Sequence, residues 1–482
     1  MTVRYIRVNP VADLFAPAVR AYGNIAVVGQ VTPPSAAPAA LTAAAAAGSG
    51  LDVGTYRYVA SFVTAAGESD VSTEVAVTTA PGSQRVALTA IPVGAAGTVA
   101  RKLYRTTLGG GTGALKLLTT IDDATTTTYT DATPDSSLGE SPLLRPHTPV
   151  AFTDSIEARR RAPGALGRAI ALAFDQSPGP TLVYGVRTAA SPDWAAALDA
   201  VAPIDAQFVV LADTPLDATS GAPPAGSNSD GGAIHQLATH VSGISGTGGD
   251  GKERMGVAML TRGATDPGLV SGKLAHERMV YVAHKSDEDA AAAVAGVIAG
   301  YEPHISLLLK PVNITSASFA PAEIAALNGS ETFAGGPAGS GVNWLVDPAL
   351  IPGRGVYLGE GYTGNPGGKK YIDIVRTVDD VSFRLKAQLI KAVGTVRISR
   401  SGLRAVQAQM EAVLAPLVQA EVIEGFDITI PLVTLLDKEP DTLIAAERTQ
   451  IDNAQSQRVL EILVAVDYAG ALHRLSITLK FV

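Results

Sequence analysis

The feature that most constrains the fold is a change in the spacing of apolar residues near Pro149. Before it, Tyr56, Tyr58, Ala60 and Phe62 are separated by single residues, which is typical of a strand with one buried face. Similar short segments recur about every ten to fifteen residues and predict strands at Glu74–Thr78, Arg85–Thr89, Arg101–Thr106, Leu115–Ile121 and Thr126–Thr130. This spacing predicts an all-β sandwich over residues 51–140.

Residues 145–355 show a different pattern, in which apolar segments alternate with Ala-rich ones. The apolar segments predict strands at Thr181–Arg187, Gln207–Ala212, Arg254–Thr261, Arg278–His284 and Ile305–Leu309. The Ala-rich segments predict helices at Ala165–Phe174, Asp193–Val201, Gly231–Val241 and Asp287–Gly300. Because the strands are apolar on both faces and alternate with helices, this part is predicted to be an α/β domain around a mostly parallel sheet.

Residues 356–482 predict a C-terminal α+β domain. A first amphipathic helix is indicated by Val378, Val381, Leu385, Leu389 and Val393, with Thr377 and Asp380 placed as in a capping box. A second helix is indicated by Leu403, Val406, Met410, Val413, Leu414 and Leu417. Strands are predicted at Gly355–Leu358, at Leu460–Val466 and along the alternating run that ends at Val482. The fold class is therefore multi-domain α+β.

The N-terminal part divides in two. Residues 1–33 are predicted to form an extended arm followed by the first part of the α/β domain. Residues 34–50 are rich in Pro, Ala, Gly and Ser and contain no charged residue. Such a composition predicts a linker to the sandwich, which would let the sandwich project outward.

The composition excludes several classes of function. The chain contains no cysteine, which excludes disulfide scaffolds, thiolate metal sites and cysteine catalysis. Its 37 Lys and Arg against 45 Asp and Glu give a net charge of −8, which argues against a nucleic-acid partner. No uninterrupted apolar stretch approaches the length of about 18 residues that is needed to span a bilayer. Pro10 and Asp13 follow Met1–Asn9 where a secretory signal would have its apolar region.

The sequence contains no complete motif for binding a cofactor or a metal. Gly246, Gly248 and Gly251 have the spacing of a dinucleotide fingerprint, but the predicted helix precedes them and the predicted strand follows, which is the reverse of the required order. His276 and Glu277 lack the second histidine of a zinc-protease motif. We therefore predict no catalytic residue, no cofactor and no metal.

One charged segment stands out. Between residues 376 and 404 there are seven basic residues against two acidic ones, Asp379 and Asp380. The basic residues are Arg376, Arg384, Lys386, Lys391, Arg397, Arg400 and Arg404. The two acids are interpreted as complementing a helix N-terminus. The basic residues are either a solvated helical face or a docking surface for an acidic protein partner.

Several motifs resemble known families. GTYRYVASFVTAAGES, RKLYRTT and TTYTDATPD resemble the fibronectin type III-like, immunoglobulin-type sandwiches found as insertions in phage structural proteins. GNIAVVGQVTP at 23–33 resembles an N-terminal strand of the tail sheath proteins of contractile phage tails and contractile injection systems. The element expected next appears only at 149, as PVAFTDSIEARRRAPGALG. The sandwich is therefore predicted to be an insertion in a sheath-type chain.

The C-terminal part carries the most recognisable resemblance to tail sheath proteins. GRGVYLGEGYT at 353–363 precedes KKYIDIVRTVDDVSFRLKAQLIKAV at 369–393, in which Arg376 stands at the family's arginine-centred motif. Val375 stands where the family often has a second arginine. The resemblance spans residues 1–33 and 145–482. It implies a non-enzymatic subunit that forms stacked six-fold rings around an inner tube and contracts to drive the tube through a target envelope.

In this family, N- and C-terminal arms of neighbouring subunits add strands to the C-terminal domain. Both ends of this sequence are strand candidates, at Val3–Val8 and Leu475–Val482. We therefore predict inter-subunit strands, or alternatively strands that complete the chain's own sheets. The residues predicted to pair between subunits are Tyr5, Ile6, Val8, Leu475, Ile477, Leu479 and Phe481.

A second prediction concerns the tube. Arg384, Lys386, Lys391 and Arg397 are predicted to form a basic surface that faces the inner tail tube protein, because screened charges suit a partner that is released on contraction. Further partners implied by the resemblance are baseplate and tail terminator proteins. The implied location is a virion tail or an injection particle, assembled in the host cytoplasm.

Two other classes of function remain open from the sequence. The first is an α/β enzyme with an appended β-sandwich binding module, which predicts a pocket with convergent polar groups at the carboxyl ends of the sheet. The second is an adhesion protein that binds its ligand through the sandwich. Phage tail and injection system are not distinguished by the sequence.

Overall fold

The computed structural model describes residues 22–225, 231–246, 251–329, 339–353 and 355–473. Its strands, β1 to β18 in chain order, are Ile25–Gly29, Thr42–Ala46, Thr55–Thr64, Gly67–Glu68, Val75–Thr78, Arg85–Thr89, Thr98–Thr106, Leu115–Ile121, Tyr129–Asp131, Val150–Phe152, Val183–Arg187, Phe208–Leu216, Met255–Leu260, Met279–Ala283, Asn343–Val346, Tyr357–Leu358, Ile423–Thr429 and Leu463–Tyr468. Its helices, α1 to α10, are Ser155–Arg161, Ala165–Phe174, Trp194–Val201, Ala233–Gly246, Ala290–Gly300, Pro321–Asn328, Ile372–Leu389, Arg400–Gln419, Pro431–Leu436 and Ala445–Gln457.

An eight-stranded sheet forms the α/β core, in the order β10-β11-β1-β12-β13-β14-β15-β16. Only the outermost pairs, β10 with β11 and β15 with β16, are antiparallel. All five residues of β1 are buried, as expected for a parallel strand covered on both faces. Helices α2 and α5 cover one face, and α3 and α4 cover the other. The predicted α/β architecture is confirmed.

The Ala-rich helix α5 shows why small residues are needed in this layer. Its residues from Ala290 to Ala299 are all buried. A Cβ atom at Gly296 would lie 2.5 Å from the carbonyl oxygen of Ala173 in α2, which is closer than packing allows. The glycine therefore lets α5 lie directly against α2 while both cover the sheet.

Between β1 and β10 the chain forms a separate set of strands, the β unit (residues 42–131). One antiparallel sheet has the order β2-β6-β9, and the other has the order β4-β3-β7-β8 with β5 beside β3. Their shared core includes Tyr56, Tyr58, Leu88 and Leu103. The predicted strands Arg85–Thr89 and Leu115–Ile121 are confirmed. A fibronectin type III-like insertion remains a prediction.

The segment 34–50 differs from the predicted linker. Thr42–Ala46 forms β2 and pairs antiparallel with β6, because the exposed edge of β6 supplies backbone partners that outweigh the low strand preference of alanine. The β unit is also attached to the core by side chains. Arg187 at the end of β11 forms a bidentate ion pair with Asp70 and donates to the carbonyl of Leu144 at 2.9 Å.

The C-terminal unit (residues 372–473) contains α7 to α10 and the two-stranded sheet β17–β18, here called the open sheet. All six apolar residues that predicted the second helix are buried in α8. The first helix begins earlier than predicted, at Ile372 after the extended residue Tyr371. Thr377 therefore lies inside α7, and the predicted capping box is wrong.

One predicted strand is also wrong. Residues 305–309 form turns, in which the amide of Ile305 donates to Glu302 and the amide of Lys310 donates to Leu307. Leu309 has a φ of 56°, which is incompatible with a regular strand. The short apolar run is explained by burial of Leu307 in the core. Among the described helices, none is long and apolar enough to span a membrane.

Candidate interaction surface of the C-terminal unit

The open sheet consists of β17 and β18 only. The two strands pair antiparallel from Ile423 with Tyr468 to Thr429 with Leu463. Within the described residues, no third strand pairs with either outer edge. An outer edge presents backbone N–H and C=O groups that can pair with another extended segment.

An apolar groove, the α7 groove, lies between α7 and the open sheet. It encloses about 320 Å³. Its lining residues are Ile374, Thr377, Val378, Val381, Ser382, Leu385, Ile423, Val464, Val466 and Tyr468. Val378 remains 41% exposed. Along this groove α7 and the open sheet therefore do not pack directly against each other. Apolar side chains of both line the space between them.

Arg376 joins α7 to the α/β core. The side chain is buried, and its guanidinium donates to the carbonyl oxygens of Tyr301 (2.7 Å), Glu302 (3.3 Å) and Tyr22 (3.4 Å). The guanidinium also lies over the ring of Phe208, 5.4 Å from its centroid. Burial lowers the pKa of Arg376 to about 10, so that the residue stays charged at neutral pH. The arginine of the sequence motif therefore joins three segments of the chain.

A second arginine strengthens this junction. Arg278, which immediately precedes β14, forms a bidentate ion pair with Asp379 of α7. Asp379 lies in the middle of α7, because the helix begins at Ile372. The interpretation of Asp379 and Asp380 as acids at a helix start is therefore wrong. Asp379 binds the core, and Asp380 accepts from Arg384 at 2.8 Å.

The four residues of the predicted basic surface lie in two different environments. Arg384 pairs with Asp380, and Lys386 pairs with Glu253 at 3.1 Å. Lys391 and Arg397 are exposed on the connection between α7 and α8, and in the described part of the chain they form no ion pair. The structure therefore leaves two of the four cations directed to solvent.

The connection between α7 and α8 also exposes apolar side chains. Ile390 is 68% exposed and Val393 is 74% exposed. Arg400 and Arg404 at the start of α8 pair with Asp437, each at 3.0 Å. The exposed part of the basic segment is thus a short connection that combines two cations with two apolar residues, here called the α7–α8 tip.

The predicted terminal strands lie outside the described residues. This applies to Tyr5, Ile6 and Val8 at one end and to Leu475, Ile477, Leu479 and Phe481 at the other. The described chain begins at Tyr22, whose carbonyl accepts from Arg376. It ends at His473, whose ring nitrogens lie 2.9 Å from Ser306 Oγ and 3.3 Å from Glu360 Oε2.

No local pattern in the sequence predicts the contacts of His473. Its partners Ser306 and Glu360 are 167 and 113 residues away. The contact of Tyr468 with Asp373 spans 95 residues. Local periodicity carries no information on such distant partners.

The enzyme alternative predicts a polar pocket at the carboxyl ends of the parallel strands. A cavity of about 350 Å³ lies beyond β12 and β13 and includes Asp217, His235 and Lys273 in its lining. The Asp217 carboxylate accepts from the amides of Thr219 and Ser220 in its own turn. Burial, together with Lys273, lowers the pKa of His235. In the described ranges, no group of three His, Cys, Asp or Glu residues could hold a metal ion.

Comparison with known proteins gives similarities in structure. No family model and no curated protein matches the sequence. The chain is similar to the contracted helical sheath of the anti-feeding prophage, with a TM-score of 0.46 and 15% sequence identity. The match covers 71% of this chain and 90% of that chain. It is also similar to the contracted sheath complex of PVC, an extracellular contractile injection system, with a TM-score of 0.48 and 13% sequence identity. This match covers 70% of this chain and 87% of that chain.

A third similarity is to the six-fold symmetrised baseplate of the anti-feeding prophage, with a TM-score of 0.46 and 16% sequence identity. The match covers 71% of this chain and 90% of that chain. These structures belong to contractile systems, the class named from the sequence. These three TM-scores are below 0.5, so that the function proposed for this chain rests on its own residues.

Proposed function

We propose that the chain is a structural subunit of a contractile sheath. It polymerises as stacked six-fold rings around an inner tube, and the rings contract to drive the tube through a target cell envelope. The order of sheath-like motifs over residues 1–33 and 145–482 supports this proposal. The energy of contraction is stored in contacts between subunits, and the chain is not an enzyme.

The observation that carries the proposal is the open sheet beside the α7 groove. A strand added to the outer edge of β18 extends the sheet over α7 and covers apolar residues such as Val378 and Val466. The edge supplies backbone hydrogen bonds, and the groove supplies specificity for alternate side chains. Each apolar side chain that becomes fully buried contributes about 1.5–3 kcal/mol.

The added strands come from the terminal arms of neighbouring copies. In the C-terminal arm, Leu475, Ile477, Leu479 and Phe481 alternate with polar residues, so that one face of an extended arm is apolar. In the N-terminal arm, Tyr5, Ile6 and Val8 are the pairing residues. Strand addition keeps neighbours connected while they move relative to one another during contraction.

The inner tube protein binds the α7–α8 tip. Lys391 and Arg397 supply exposed positive charge, and Ile390 and Val393 supply apolar contact area. Arg384 and Lys386 belong to the wider basic surface, but their ion pairs with Asp380 and Glu253 reduce their contribution. Exposed charges give a contact that is weakened by salt and readily released.

The remaining partners are baseplate and tail terminator proteins at the two ends of the sheath. The particle is a virion tail or an injection system, assembled in the host cytoplasm. Nucleic acid and membrane lipid are not among the partners, which agrees with the net charge of −8.

Electron microscopy of the purified full chain tests the proposal. Hollow cylinders with six-fold end views are the expected result. If only monomers or dimers form over a range of protein and salt concentrations, also in the presence of the inner tube protein, the proposal is wrong. Screening of the cavity beside His235 and Lys273 for small-molecule ligands would then test the enzyme alternative.

A further inference from the structure

The α7–α8 tip has a hydrogen-bonded backbone, although its charged side chains are exposed. The amides of Thr395 and Val396 both donate to the carbonyl of Ala392, at 3.1 and 3.0 Å. The hydroxyl of Thr395 donates to the carbonyl of Lys391 at 3.0 Å. Gly394 has a φ of 80°, a left-handed conformation that costs little without a Cβ atom. The backbone that carries Lys391 is therefore held in a hydrogen-bonded turn.

The other cation of the tip, Arg397, is held against the first turn of α8. A Cβ atom at Gly402 would lie 2.1 Å from the carbonyl oxygen of Arg397, which is closer than packing allows. The same carbonyl accepts from the amide of Ser399 at 2.9 Å. Ser399 is the N-cap of α8, and its hydroxyl accepts from the amide of Gly402. Glycine at position 402 therefore lets the end of the tip lie directly on α8.

The first turns of α8 are bound in turn to α9. Asp437, the C-cap of α9, pairs with Arg400 and Arg404 of α8, each at 3.0 Å. The guanidinium of Arg400 also donates to the carbonyl of Leu436 at 3.0 Å. Exposed ion pairs contribute little to stability. The main consequence of this network is therefore geometric, because it sets the direction in which α8 leaves the tip.

We propose that Gly402 and Asp437 are positioning residues for the α7–α8 tip. Gly402 fixes how closely Arg397 approaches α8, and Asp437 fixes the start of α8, on which Arg397 rests. Cations that are already in place spare a binding partner the cost of ordering them. That this partner is the inner tube protein rests on the proposed function. The order of the tip is a property of the single chain and can be measured without the tube.

Co-sedimentation with tubes of the inner tube protein measures the consequence for recognition. Gly402→Ala should weaken tube binding by about threefold or more, a size typical of residues in contact, because the added Cβ displaces Arg397. Polymers of the sheath alone should be unchanged. In an Arg397→Ala background the same substitution should have no further effect, since Gly402 acts through Arg397. An equal loss of binding in both backgrounds would overturn the proposal.

Matched variants separate positioning from a general effect of the substitution. Gly243→Ala is the control, because Gly243 also lies inside a helix, α4, but has open space at its Cβ position. It should leave tube binding unchanged. Asp437→Asn is a milder variant that keeps the test valid even if Gly402→Ala does not fold. It should weaken tube binding, and Asp437→Glu should restore it. A similar loss with Asp437→Glu would contradict a role of the carboxylate in positioning.

Limited digestion of the monomeric full chain with trypsin tests the order of the tip without tubes. Gly402→Ala and Asp437→Asn should accelerate cleavage after Lys391 and Arg397 by about threefold or more, because cleavage requires local opening of the backbone. Gly243→Ala should not accelerate it. Unchanged cleavage in both tip variants would overturn the proposal. If cleavage accelerates but charge reversal of the tip leaves tube loading intact, the tube contact of the proposed function is wrong and the positioning stands.

Discussion

The β unit and the C-terminal unit both contain small antiparallel sheets. They differ in how fully the apolar side chains of these sheets are covered by the rest of the chain. In the β unit, the fully buried Arg101 and Arg105 are paired with Asp123 and Asp135, each at 2.8 Å. The two sheets enclose one apolar core. In the C-terminal unit, the open sheet stands beside the unfilled α7 groove. The buried arginines of the β unit pair with carboxylates of the same chain, whereas under the proposed function the C-terminal unit is completed by a partner.

This difference separates two kinds of mutational effect. Substitutions in the β unit should change the stability or attachment of that unit, because its apolar core and its two buried arginines are contacted from within the same chain. Substitutions at the open sheet should change association, because the apolar residues there are only partly covered. The attachment of the β unit by Arg187 and Asp70 also makes it part of the folded body and not a freely tethered module.

Removal of the C-terminal arm should have the largest effect. We expect deletion of residues 475–482 to abolish polymerisation, because the open sheet of each neighbour then loses its added strand. The monomer should keep its thermal unfolding temperature within a few degrees, since a strand that pairs with a neighbour does not support the fold of its own chain. Size-exclusion chromatography and electron microscopy would measure the loss. Cylinders of normal length from the truncated chain would contradict strand addition by this arm.

A charge in the α7 groove should weaken assembly without removing the arm. Val378→Glu places a carboxylate among apolar lining residues, and burial of that carboxylate under an added strand is costly. We expect the critical concentration for polymerisation to rise by about tenfold, which corresponds to about 1.4 kcal/mol. Leu350→Glu, at a side chain that is 96% exposed, is the control. Equal effects of the two variants would exclude a specific role of the groove.

Charge reversal at the α7–α8 tip should separate sheath assembly from tube binding. Lys391→Glu with Arg397→Glu should prevent loading of the sheath on tubes and spare polymers of the sheath alone, because both cations are exposed and steer a complementary partner. Co-sedimentation with tubes at low and high salt would measure binding. Lys116→Glu, an exposed change in the β unit, is the control. Tube loading by the doubly reversed variant would place the tube contact elsewhere.

The sequence predicts those elements whose signal is local. Apolar periodicity located α8 and the strands β6 and β8, because each buries one face or stripe against a single layer. It failed at residues 305–309, where the apolar run reflects one buried Leu307 between turns. Arg376 was singled out by its motif, but its partner Tyr22 lies 354 residues away. Its role as a junction of three segments therefore depends on tertiary structure.

The smallest effect should come from the attachment of the β unit. Asp70→Asn leaves the guanidinium of Arg187 without its bidentate carboxylate, and loss of a charged hydrogen bond costs about 1.5–3 kcal/mol. Partial exposure of Asp70 favours the lower end of this range. We expect a lower free energy of unfolding in urea with unchanged polymerisation, and no change for the exposed control Asp122→Asn. Loss of polymerisation without loss of stability would mean that the β unit contacts neighbours and is not completed within its own chain.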